Sequence, residues 1–198
     1  FRDDVDVFNL NTLTWGSAYN TTAVSQMVRS NWNLATGGWI STNVPHSRHS
    51  YDLLTFAPNR GELVIFAGAT AAAPSCMQGI EWVMEYERTV ASNPGKVWHY
   101  NPVTKVWRAT NVPATASTVG IHSASEYDPV SGKIILIERY GLFTYDPMTE
   151  VATKHQDFTR GELSIVQNLI YYPPNQKMYY VLHNGGVFEA VSYTHLRA

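Results

Sequence analysis

Tyr100-Asn101-Pro102-Val103-Thr104-Lys105-Val106-Trp107 and Tyr145-Asp146-Pro147-Met148-Thr149-Glu150-Val151-Ala152 are one phrase written twice, 45 positions apart. In each, an aromatic closes a β-prone segment, Asn-Pro or Asp-Pro sets a tight turn, and a threonine and a charged residue lead into the next such segment. The phrase therefore reads as strand, turn, strand. Phe8-Asn9-Leu10-Asn11-Thr12-Leu13-Thr14-Trp15 is a third copy near the N-terminus.

A second phrase lies upstream of the first. Phe56-Ala57-Pro58-Asn59-Arg60-Gly61 precedes the apolar run Leu63 to Phe66, Tyr127-Asp128-Pro129-Val130-Ser131-Gly132 precedes Ile134 to Ile137, and Tyr172-Pro173-Pro174-Asn175-Gln176-Lys177 precedes Tyr179 to Leu182. Each is again a hairpin, with Pro, Asn, Ser and Gly supplying the turn dihedrals. Tyr127 and Tyr172 are separated by the same 45 residues as Tyr100 and Tyr145. Two signals with one period, in one order, predict repeated four-stranded antiparallel sheets of the length of a β-propeller blade.

The string Tyr-Asp-Pro-x-Thr, preceded by a first strand containing His-Ser (Arg48-His49-Ser50 and His122-Ser123-Ala124), resembles kelch repeats, as in kelch and galactose-oxidase central-domain propellers. The resemblance covers about residues 5 to 190, and it implies an all-β chain of kelch-like blades. The usual Gly-Gly after the second strand stands here as Ala67-Gly68 and Arg139-Tyr140, so the repeats are degenerate. Residues 1–15 supply the end of one blade, 42–110 a blade, 118–155 another, and 162–190 an incomplete blade. Insertions occupy 16–41 and 69–96, and 191–198 break the repeat and read as a non-native tail. A propeller closes with about four to eight blades, so a partial propeller is expected, with its remaining blades in a parent chain and open sheet edges here.

Composition agrees with short, doubly covered strands. Of 198 residues, 44% are hydrophobic and 13% aromatic, and only 15% are charged. That is too few charges for the solvent faces of a helical bundle and too many aromatics for a disordered tail. The net charge of -2 offers no basic footprint for nucleic acid. No run of about 18 apolar residues marks a membrane span. Cys76 stands alone, which excludes an internal disulfide framework and a Cys-rich metal site. The low charge and the Asn-, Thr- and Tyr-rich composition fit an extracellular or cell-surface setting.

The tight turns all belong to one face of such a propeller, and both long insertions open on the other. Loops longer than about 15 residues are uncommon without a job, and these carry Trp32, Trp39, Trp82 and Tyr86. Together with His46, Arg48, His49, His122, Arg139, His183 and Asn184, near strand-1 starts and strand-2 ends, they form the candidate ligand or partner face. Aromatic rings with a few polar groups suit sugars or extended peptides. No catalytic, cofactor-binding or metal residues are assigned. His46 and His49 do not share a side of an extended strand, and neither a Gly-rich phosphate loop nor a nucleophile elbow occurs. The resemblance implies a protein- or glycan-binding module without cofactors. Two other readings stay open: part of an extracellular carbohydrate-active enzyme of the galactose-oxidase or sialic-acid-mutarotase type, and a structural surface protein or adhesin.

Overall fold

The computed structural model describes residues 5–18, 22–26, 29–33, 35–45, 52–66, 96–113, 123–138, 141–158, 166–182 and 185–190. Among them the chain is all-β apart from two short 3-10 turns. Asp6–Asn9 (β1) and Thr14–Ser17 (β2) form a hairpin, and Trp32–Asn33 (β3), Gly38–Trp39 (β4) and Val44–Pro45 (β5) a small sheet. Leu54–Ala57 (β6), Glu62–Ile65 (β7), Lys96–Asn101 (β8) and Val106–Pro113 (β9) make a four-stranded sheet. Ala124–Asp128 (β10), Lys133–Glu138 (β11), Gly141–Asp146 (β12) and Val151–Asp157 (β13) make a second, and Val166–Tyr172 (β14), Lys177–Leu182 (β15) and Val187–Ala190 (β16) a sheet of three. Every sheet is an antiparallel meander in chain order.

The repeated phrase folds the same way three times. Asn9, Asn101 and Asp146 each turn a side-chain oxygen onto the backbone N–H groups two and three residues on, at 2.8 to 3.3 Å. The turns close through left-handed residues Leu13, Lys105 and Glu150, with φ of 55°, 59° and 56°. The Asx side chain replaces the missing backbone partners of the turn, which explains why only Asn or Asp stands at its first position.

Turn chemistry also corrects the register of the other phrase. Gly61 and Gly132 end their turns at φ of 68° and 71°, and Gln176 does so at 57°. Asp128 pairs with Lys133, and Tyr172 pairs with Lys177. Tyr127 therefore corresponds to Tyr171, not to Tyr172 as the 45-residue sequence period suggests. The left-handed residue fixes the register, and it aligns Pro173, the first of the two adjacent prolines, with Pro58 and Pro129.

Successive sheets stack face to face. Along β7 and the residue after it, Leu63 and Ile65 pack with Trp98, Tyr100 and Trp107 beneath Trp39 and Val44, whereas Val64 and Phe66 pack with Ile134, Leu136 and Tyr145 of the next sheet. Along β11, Ile134 and Leu136 face back to that cluster, and Ile135 and Ile137 face forward to Leu169, Met178 and Leu182. Side chains alternate along a strand, so a strand covered on both sides must be apolar at every position. This is the physical origin of the continuous apolar runs and the low charge.

The segment expected as a long loop is built into this core. Thr36 carbonyl accepts from the Lys96 amide at 3.0 Å and from Trp98 Nε1 at 2.9 Å. Trp32 and Trp39 meet edge to face at 5.3 Å, with Trp39 only 3% exposed. Val44–Pro45 pairs with Gly38–Trp39 and not with Leu54–Ala57. The four-stranded sheet therefore runs from Leu54 to Pro113. At Gly38 an added Cβ would lie 2.5 Å from the Val44 carbonyl oxygen and 2.6 Å from the Trp98 ring. Gly38→Ala is expected to cost about 1–3 kcal/mol by overpacking, read as a lower denaturant midpoint at unchanged m-value.

Candidate functional site

The first strands of the three larger sheets are joined through one residue. Asp52, just before β6, accepts at its carbonyl from the Ser125 amide at 2.7 Å and from Ser125 Oγ at 2.8 Å. Its carboxylate Oδ2 accepts from the Leu169 amide of β14 at 3.3 Å. Thr55 Oγ1 lies 2.6 Å from Ser125 Oγ. A hydroxyl has one proton to give, and that of Ser125 goes to Asp52, so Thr55 donates to Ser125. Asp52 and Ala124 form a parallel bridge, which sets the starts of the first strands side by side.

This junction changes the carboxyls around it. Burial pushes the Asp52 carboxyl up to about 6; the Leu169 amide opposes the shift and the Glu126 charge adds to it. Glu126 is raised as well, again by burial, against a hydrogen bond from the Tyr127 amide. At mildly acidic pH Asp52 is a hydrogen-bond donor as readily as an acceptor. Its folded pKa lies above the ordinary value of 3.8, so the folded state holds the proton longer than the unfolded one. The stabilisation is full below pH 3.8 and is lost as pH rises through 6. Relative to Asp52→Asn, the wild type should lose stability between those two pH values and run parallel to it above, in thermal melts across the pH range.

A second polar centre lies between the two four-stranded sheets. Glu62 Oε2 accepts from His99 Nδ1 at 2.8 Å and from Arg60 Nε at 2.7 Å, and His99 Nε2 stands 2.7 Å from the Tyr145 hydroxyl. A carboxylate only accepts, so His99 carries its proton on Nδ1 and the Tyr145 hydroxyl donates to Nε2. Arg108 bonds Glu150 at 2.6 Å, and Arg60 donates to the Pro147 carbonyl at 3.1 Å. His99 and Tyr145 are buried, and their hydrogen bonds are spent on one another and on Glu62. The imidazole and phenol of this centre join the two sheets.

Of the residues singled out from sequence, Trp32 is half-buried and Trp39 sits in the core. The Trp39 ring is enclosed in the cluster with Trp32, Trp98, Tyr100 and Trp107, so it has no face to present. His46, Arg48, His49, Trp82, Tyr86, His122, Arg139, His183 and Asn184 lie outside the described residues, as does most of the 69–96 insertion and all of 191–198. Counted back from the strand-closing residues Ala57 and Asp128, His49 is eight positions away and His122 six, so the two histidines do not match in sequence offset. Sequence reasoning missed Asp52, Glu126 and the Glu62–His99 pair. Asp52, Glu62 and His99 each stand within or against an apolar or aromatic run, whereas Glu126, between Ser125 and Tyr127-Asp128, carries no such signal. Among the described residues no group of three His, Cys, Asp or Glu could hold a metal, and no helix is long and apolar enough to cross a membrane.

No protein-family model and no curated protein matches the chain. Among solved structures, the crystal structure of TolB from Acinetobacter baumannii is similar at a TM-score of 0.41 and 12% identity, over 91% of this chain and 36% of that one. The chain thus spans about a third of the length of that structure.

Proposed function

We propose that this chain is part of a kelch-like β-propeller and acts as a binding module for a protein or glycan ligand. The observation that carries the reading is the Asp52 junction. Stacked meanders whose first strands lie side by side bring one end of each first strand to a common place, as strands around a propeller axis do. By sequence, His46, Arg48, His49 and His122 fall within a few residues of that place. A half-buried carboxyl in a junction that also holds the Ser125 and Thr55 hydroxyls suits a hydroxyl-bearing ligand.

A second reading, as part of a carbohydrate-active enzyme, draws on one specific feature. Asp52 is poised near 6, where a carboxyl can give up or take a proton near neutral pH. Glycan- and peptide-array binding of the wild type, Trp82→Ala and Asp52→Asn tests the binding module. The expected result is wild-type binding that falls at least about tenfold in both variants, a change of about 1.4 kcal/mol. Wild-type retention in both would place recognition elsewhere. Turnover of a bound glycan that disappears in Asp52→Asn would favour the enzyme.

A further inference from the structure

Register matches the β1–β2 hairpin to the β8–β9 and β12–β13 hairpins place by place. Phe8, Tyr100 and Tyr145 correspond, as do Val7 and His99, Gly16 and Arg108, and the left-handed Lys105 and Glu150. Between the two four-stranded sheets, His99 and Arg108 meet Tyr145 and Glu150 at 2.7 and 2.6 Å, so that junction is filled and its charges are paired. One junction earlier, Val7 and Gly16 hold the places of His99 and Arg108, opposite Tyr100 and Lys105. Val5 and Ala18, at the end of the same hairpin, pack with Trp98 and Tyr100, so this side of it faces the sheet. Where the arginine would stand there is room. A cleft of about 300 Å³ opens there, lined by Val7, Asn9, Gly16, Tyr100, Pro102 and Lys105. A Cβ on Gly16 would meet nothing within 4 Å. Lys105 brings a positive charge to the place of Glu150, and among the described residues no carboxylate pairs with it. Asn9 spends Oδ1 on the Asn11 and Thr12 amides, which leaves Nδ2 to donate. A strand added along the free edge of β1 would lie on the side away from Gly16, and a sheet stacked on Phe8 and Trp15 would lie on the opposite face. The cleft is therefore compatible with a longer propeller.

We propose that this cleft binds a small organic carboxylate, its charged group on Lys105 and its body in the space beside Gly16. A carboxylate only accepts, and the Lys105 ammonium and Asn9 Nδ2 only donate. One ammonium balances the single charge of a carboxylate, whereas a phosphate monoester brings about two. The volume stands at the small end of ligand sites, which begin at about 300 Å³, and suits a body of one sugar ring. The inference goes beyond the Asp52 junction and does not rest on it.

Amide NMR titration of the whole chain with sodium glucuronate tests it, with glucose and inorganic phosphate as comparison probes. Glucuronate should shift the Gly16 and Lys105 amides saturably, with a dissociation constant of about 1 mM or tighter. Glucose lacks the carboxylate and phosphate lacks the body, so each should bind at least about tenfold more weakly. Lys105→Gln should weaken glucuronate at least about tenfold; Gln176 already adopts the same left-handed backbone, so the turn is kept. Gly16→Arg combined with Lys105→Glu copies the Arg108–Glu150 pair into the cleft and should abolish binding. The absence of a saturable shift at Gly16 and Lys105 overturns the proposal, as does glucose or phosphate binding as tightly as glucuronate. Affinity unchanged in Lys105→Gln, or retained in the double variant, overturns it equally.

Discussion

Glu62→Ala is expected to cost about 1–3 kcal/mol, the penalty for leaving the buried His99 N–H without its acceptor. Glu62 accepts from His99 Nδ1 and Arg60 Nε, and Arg108 lies 3.7 Å away. Without it, the imidazole N–H is left inside the protein with no acceptor, while Arg60 and Arg108 keep Glu150 as a partner. A loss of the carboxylate's charge alone is milder. Glu62→Gln keeps one acceptor and should cost about 0.5–1.5 kcal/mol. Chemical denaturation of the three proteins orders them wild type, Gln, Ala. An Ala variant as stable as the Gln variant would mean that the network is solvated and of little consequence.

The same network should make the protein acid-sensitive. Burial, with the Arg108 charge, lowers the His99 pKa below its ordinary 6.5, against the Glu62 hydrogen bond. The folded state therefore prefers neutral imidazole, so stability is highest above pH 6.5 and falls as pH drops below it. For Glu62, burial acts to raise the pKa, but hydrogen bonds from His99 and Arg60 outweigh it and hold the carboxyl below 4.5. Its contribution is present above pH 4.5 and is lost as pH falls through the folded value. Both groups push in one direction, and Asp52 pushes in the other below pH 6. Melts of His99→Gln in an Asp52→Asn background isolate the histidine. The decline that begins near pH 6.5 should flatten there, and an unchanged curve would remove His99 from the account.

Local chemistry made the hairpins legible. The Asx oxygen at Asn9, Asn101 and Asp146 and the left-handed residue four positions on act within one turn, so eight residues contain the whole cause. The apolar runs were legible for a related reason: a strand covered on both sides has no position for charge. The all-β expectation followed from these two facts. What escaped was long-range. Asp52 finds Ser125 across 73 residues and Leu169 across 117, and nothing near Asp52 announces either partner. By sequence Trp39 reads as a loop aromatic, because a short sheet of two-residue strands has too few residues to establish a period. The one-residue register shift at Gln176 escaped because a non-glycine residue took the left-handed place that glycine marks elsewhere. The candidate site is thus legible in residue type, as ionisable groups among apolar neighbours, but not in its connections.

Leu136 and Ile137 are neighbours on one strand, and replacing either with Ala should cost about 2–5 kcal/mol. In a sheet with one wet face only one of two adjacent positions would be so sensitive, because the side chains point to opposite sides. Here Leu136 is 1% exposed against Val64 and Phe66 of the preceding sheet, and Ile137 is 2% exposed against Leu169 and Met178 of the following one. Both truncations open a cavity between packed sheets, where relaxation is limited by cover on two sides. Val181 holds the place of Ile137 in the last sheet, where no further sheet lies in front among the described residues. Val181→Ala, measured in dilute monomer, should therefore cost under about 1 kcal/mol, as truncations away from a packed core do. The three midpoints separate a stack buried on both sides from a sheet with one core face. Equal, small losses at Leu136 and Ile137 would refute the stack, and a large loss at Val181 in the monomer would mean that the forward face of the last sheet is already covered.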